Sequence, residues 1–110
     1  MRDHKQPSIE YHSAFALELD EAARYLEEKA GLRDALMQCA EEAALRIQGN
    51  TQVFRIDRKM DARRCIVRRF PYVLYFDYDA TRNHVFVYVL AHTSRKPAFW
   101  VNRLKKAHQV

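Results

Sequence analysis

The chain reads as an α+β fold, a helical hairpin packed on one face of a small twisted antiparallel sheet, in the order β-α-α-β-β-β. Two observations predict this. Apolar residues recur at helical spacing from Phe15 to Ile47, and from Arg63 onward they alternate or run together as strands do, between polar turns. With 110 residues, 48% of them hydrophobic and only two Gly and three Pro, the chain supports one domain, residues 1–110, with a single core and no low-complexity tract.

Each element has its own signal. The first strand is the β-prone stretch "SIEYHS". Phe15, Leu19, Ala22, Leu26 and Ala30 then mark one helical face, with Glu18, Glu21, Glu27 and Glu28 mostly elsewhere, Ser13 as the cap and Gly31 as the stop. Leu32, Leu36, Ala40, Ala43 and Ile47 mark a second helix ending at Gly49 and Asn50, and so short a hinge folds the two back antiparallel. Three strands follow, "RRCIVRR", "YVLYFDY" and "HVFVYVLAH", the last two joined by the turn "DATRN", with Asp77 and Asp79 read as turn formers. Alternation places Arg63, Arg64, Arg68 and Arg69 across the first of these. It puts Val85, Val87, Val89 and Ala91 on one face of the last strand and Phe86, Tyr88 and Leu90 on the other. The hairpin covers one sheet face and leaves the other partly open, with aromatic and cationic side chains on it. Phe15, Leu19, Leu26, Leu36, Ile47, Val67, Val87 and Val89 form the expected core. From Pro97 to about Lys106 a short basic helix is predicted, capped by Ser94 and anchored by Trp100, with Arg95 and Lys96 beside Arg68 or Arg69.

Charge is distributed unevenly. Residues 1–60 hold nine Lys/Arg against eleven Asp/Glu, net −2, and residues 61–110 hold ten against three, net +7. A one-sided basic surface attracts polyanions, so nucleic acid or an acidic protein segment is the expected partner. Cys39 and Cys65 have no metal-ligand spacing, the N-terminus shows no signal peptide, and no apolar run approaches the roughly 20 residues that span a bilayer, which together point to the cytoplasm and away from a membrane. Cys39 reads as a small buried hydrophobe. There is no Gly-rich phosphate loop, HExxH or nucleophile elbow, so no cofactor or metal is expected.

Two ordered clusters carry a resemblance. Arg68 and Arg69 lead into Phe70, Pro71 and Tyr72, and Ala91, His92, Arg95, Pro97, Phe99 and Trp100 close the last strand as "AHTSRKPAFW". In these residues and in its layout the chain resembles the RelE/ParE family of toxins from bacterial type II toxin–antitoxin modules, many of which serve plasmid stabilisation. Ser94, Lys96 and Phe99 depart from the family's usual arginine, acidic residue and tyrosine. The resemblance implies a growth-inhibiting toxin neutralised by an acidic antitoxin, with two branches: ParE-like members poison DNA gyrase, and RelE-like members cut mRNA on the ribosome. The ending "AH...RKP.FW" sides with the ParE-like branch. A non-toxic basic RNA-binding module is the third reading.

RNA cleavage needs a base for the 2′-hydroxyl, cations for the phosphate and an acid for the leaving oxygen. His92, Arg95, Arg68 and Tyr72 are the catalytic candidates. Arg68, Arg69, Tyr72, His92, Arg95, Lys96, Lys105 and Lys106 are the candidate target- or antitoxin-binding set. His92 equally suits a plainer role, holding the turn that follows it and with it Arg95.

Overall fold

Ala14 opens the first helix without a side-chain cap, because the residue that takes the free amide there is His12, whose Nδ1 accepts from the Ala14 N–H at 3.1 Å, not Ser13. This helix, α1, spans Phe15–Ala30 and stops at Gly31, which adopts φ +66°; the Gly31 and Leu32 amides then bond back to the carbonyls of Glu27 and Leu26. The second helix, α2 (Arg33–Gly49), follows at once. The computed structural model describes residues 5–95 and 99–108, except the side chains of 105–108.

The sheet has five strands rather than the four expected. They are β1 (Ser8–Tyr11), β2 (Ile56–Asp57), β3 (Ala62–Val67), β4 (Tyr72–Asp79) and β5 (His84–His92), ordered β1-β5-β4-β3-β2. The sheet is mixed, not antiparallel throughout: β1 runs parallel to β5, with Ser8 opposite His84 and Tyr11 opposite Val87, while the other pairs are antiparallel. The helical hairpin supplies the long crossover that a parallel neighbour requires. A single turn of 3-10 helix at Thr51–Val53 and the two-residue β2 intervene between α2 and β3, and a third helix, α3 (Val101–His108), follows the sheet. The fold is therefore α+β as expected, with an element order longer than β-α-α-β-β-β.

Most of the expected core lies between the hairpin and the sheet. Phe15, Ala23, Leu36, Ala43 and Ile47 meet Cys65, Val67, Leu74, Phe76, Val85, Val87 and Leu90, with Leu19, Leu26 and Cys39 at the margin. Val89 is buried in the other layer. In the β4–β5 register Tyr75 faces Val89 and Phe76 faces Val87, so Tyr88 is an extra residue, a β-bulge. The bulge reverses the alternation expected for β5. Val85, Val87 and Leu90 face the hairpin, whereas Tyr88, Val89 and Ala91 join Ala62, Val73 and Trp100 on the opposite face, where Leu104 of α3 also packs.

The β3–β4 connection also differs from expectation. β3 ends at Val67, and Arg68 and Arg69 form a turn rather than strand positions, Arg69 with φ +75°. Asp79 does initiate the β4–β5 turn, its Oδ1 accepting the amides of Thr81 and Arg82, but Asp77 is a strand residue whose carboxylate accepts the Tyr88 hydroxyl. No helix among the described residues is long and apolar enough to cross a membrane.

Candidate functional site

The end of β5 builds the site. His92 lies opposite Tyr72 in the β4–β5 ladder, and the rings meet edge to face with centroids 5.3 Å apart. The Thr93 amide donates to the Pro71 carbonyl at 2.9 Å, carrying the pairing one residue past the strand. His92 Nδ1 then accepts from the Ser94 amide at 3.1 Å and lies 2.8 Å from Ser94 Oγ. A backbone N–H only donates, so Nδ1 is unprotonated and the ring's proton sits on Nε2. Ser94 thus closes the turn on His92, the amides it was expected to cap lying outside the described residues, and the Arg95 amide bonds the His92 carbonyl at 3.0 Å. The Arg95 guanidinium stacks 4.3 Å from the centre of the Phe99 ring.

Across from this turn runs one face of α1. Glu18, Glu21, Ala22 and Tyr25 follow helical spacing and, with Tyr72, Leu90, His92, Ser94, Arg95 and Phe99, line an open cleft of about 460 Å³. Burial, and after it the neighbouring Tyr25 phenol, push the ionisation of Tyr72 above the usual tyrosine range. Glu18 is already engaged: Oε1 accepts from the Leu90 amide at 3.3 Å, and Oε2 lies 2.6 Å from Arg103 of α3. Arg103 in turn donates to the Tyr88 carbonyl at 3.0 Å. These contacts have one geometric cause. β1 stops at Tyr11, opposite Val87, so among the described residues the outer edge of β5 beyond that point has no strand partner, and the Glu18–Arg103 pair occupies it in place of one.

The cleft brings together three of the expected residues, Tyr72, His92 and Arg95, and omits Arg68 and Arg69. Arg68 turns to α2 and meets Glu42 at 3.3 Å, a carboxylate it shares with Arg46 at 2.7 Å, while Arg69 lies over the Phe70 ring. The expected patch of Arg95 beside Arg68 or Arg69 is therefore not how the cleft is built. Lys96 and Pro97, the expected helix start, lie outside the described residues; Lys105 and Lys106 fall on α3, but their side chains are outside them. Trp100 does anchor the segment, 1% exposed and stacked on Tyr75 at 4.7 Å.

Sequence reasoning missed Glu18, Glu21, Tyr25 and Arg103. The available signal was the i, i+3, i+7 spacing of the first three, which sets them on one stripe beside the buried face of α1. Nothing local marks Arg103 as the partner of Glu18. No family model matches the chain, and no curated protein matches it. Among the described residues, no three His, Cys, Asp or Glu side chains are grouped to hold a metal ion.

Proposed function

We propose that this protein is the toxin of a type II toxin–antitoxin module, acting by binding an essential target of the DNA gyrase kind and neutralised by an acidic antitoxin. The likeness of the "RRFPY" and "AHTSRKPAFW" clusters to the RelE/ParE family supplies the class. The choice of a binding role over the ribonuclease alternative rests on the hydrogen bonding around His92. With Nδ1 accepting from the Ser94 amide, the ring offers the cleft a donor at Nε2 and no base. Burial moves the ionisation of Tyr72 further from neutral pH, so its phenol is a donor and not a base, and Arg68 is turned toward Glu42. Glu21, which has no ion pair among the described residues, adds a negative charge to the wall facing Arg95, unfavourable to a phosphodiester and suited to a protein surface of mixed charge.

The test is induction in a bacterial host with a susceptible gyrase, followed by supercoiling assays and mapping of mRNA ends at ribosomes with purified protein. Growth arrest with loss of supercoiling is expected. Cleavage of ribosome-bound mRNA would establish the nuclease reading instead, and normal growth at high levels of folded protein would leave the RNA-binding module. Arg95→Ala should reduce growth inhibition by about tenfold or more while lowering the melting temperature by only a few degrees, since the side chain is exposed and its ring contact is worth only ~0.5–1 kcal/mol.

A further inference from the structure

Several of the described cations are engaged by neighbouring groups. Arg24, Arg46, Arg68 and Arg103 pair with carboxylates, Arg63 donates to the Phe54 carbonyl at 2.7 Å, and Arg69 and Arg95 lie over rings. Lys5, Arg33 and Arg82 have no ion pair among the described residues and are scattered, whereas Arg55, Arg58, Lys59 and Arg64, which have none either, stand together in the β2–β3 hairpin at the sheet edge farthest from β1. Residues 55–64 hold five Lys/Arg against Asp57 and Asp61. Asp57 is drawn inward: its Oδ1 accepts the Lys59 and Met60 amides, and its Oδ2 accepts the Tyr75 hydroxyl at 3.4 Å. Five cations against two carboxylates leave the hairpin with an excess of positive charge, which suits a ligand that neutralises it.

The surface is apolar between its cations. Arg55, Arg58 and Arg64 border a shallow cleft of about 340 Å³ whose floor includes Ile56 and Ile66, 48% and 54% exposed. β2 pairs only with β3, leaving its outer edge without a strand partner among the described residues. No aromatic ring lines the cleft, and the neighbouring Tyr75 is covered by Trp100, so the platform on which unpaired bases stack is missing.

We propose that the β2 edge and the adjoining strip of β3 bind an acidic protein segment in extended conformation, with carboxylates on Arg55, Arg58 and Arg64 and apolar side chains on Ile56 and Ile66. Strand addition supplies backbone bonds, and the alternation of charge and apolar surface supplies selectivity. This surface is at the other edge of the sheet from the cleft, and the inference does not rest on the toxin reading.

Fluorescence anisotropy with the full chain tests it, using labelled 12-residue peptides of alternating Glu and Val, their Gln and Lys counterparts, and a 12-base-pair DNA duplex and 12-base single-stranded RNA as polyanions. The Glu peptide is expected to bind best. Arg55→Glu with Arg58→Glu, both exposed and without a side-chain hydrogen bond or ion pair among the described residues, should weaken it about tenfold and make the Lys peptide the better ligand. Ile66→Ser should weaken it severalfold. Arg82→Glu, an exposed charge reversal at a single site in the β4–β5 turn, should have less than a twofold effect. Tighter binding of DNA or RNA than of the Glu peptide, equal losses from Arg82→Glu and the double variant, or no saturable binding of the Glu peptide would each overturn the proposal.

Discussion

Tyr88 shows how one residue can serve shape and electrostatics together. As the extra residue of the β5 bulge it leaves the ladder, is buried against Trp100's layer, and donates its hydroxyl to Asp77 of the adjacent strand. Burial first, and then that bond to a carboxylate, hold its ionisation far above the ordinary value of 10.0. Burial likewise raises Tyr11, Tyr72 and Tyr75. A folded tyrosine that keeps its proton while the unfolded one loses it makes stability fall as pH rises past the unfolded value. Unfolding in urea should therefore give a free energy insensitive to these groups up to about pH 9 that declines above about pH 10. Tyr88→Phe should remove part of that alkaline slope and cost about 1.5–3 kcal/mol at pH 7, the worth of a hydrogen bond to a charged group. An unchanged slope would show that Tyr88 titrates freely in the folded protein.

Between elements, the Glu18–Arg103 pair ties α1 and α3 to the unpaired edge of β5. Both side chains are largely shielded, 15% and 16% exposed, so removing either leaves a poorly solvated charge beside the other's backbone partner. Glu18→Ala should cost about 3 kcal/mol and speed hydrogen exchange at the Leu90 amide, whose acceptor it deletes. Arg103→Ala should cost a similar amount, and the double variant clearly less than the two together; additive losses would mean the pair does not act as a unit. The same scale shows what could be read from the chain. Helices were legible because their apolar period is long and Gly31 ends the first with the left-handed turn only glycine takes easily. The β4–β5 turn was legible from Asp79 and Asn83. The turn at Arg68 and Arg69 was not, because its left-handed position is filled by Arg69, leaving the strand to read on through it. Nor does an apolar run such as "VFVYVL" reveal a bulge, since every residue in it suits either face. In the cleft, Tyr72, His92 and Arg95 were legible as neighbours of paired strands. Glu18, Glu21 and Tyr25 arrive from α1, far away in sequence.

For the molecule as a whole, the sheet carries two unequal cores. The larger, under the helical hairpin, draws on both helices and three strands, while the smaller depends on Trp100 and α3 to cover Ala62, Val73, Val89 and Ala91. An element that covers a small core at one end of the chain opens at lower free energy than the rest, so α3 and its layer should form a separate unit in native-state exchange. Trp100→Ala removes the stacking on Tyr75 and a side chain buried to 1%, a loss of about 3–5 kcal/mol. If the layers are coupled only through the sheet, that loss falls on α3. Circular dichroism should then lose the signal of one short helix, a hydrophobic dye should bind the exposed face, and amides in α1, α2 and β3 should keep their protection. Loss of protection in the hairpin at the same denaturant concentration would instead show one cooperative core. In that case the Glu18–Arg103 pair, which alone links α1 directly to α3 by charge among the described residues, is the contact through which the coupling runs.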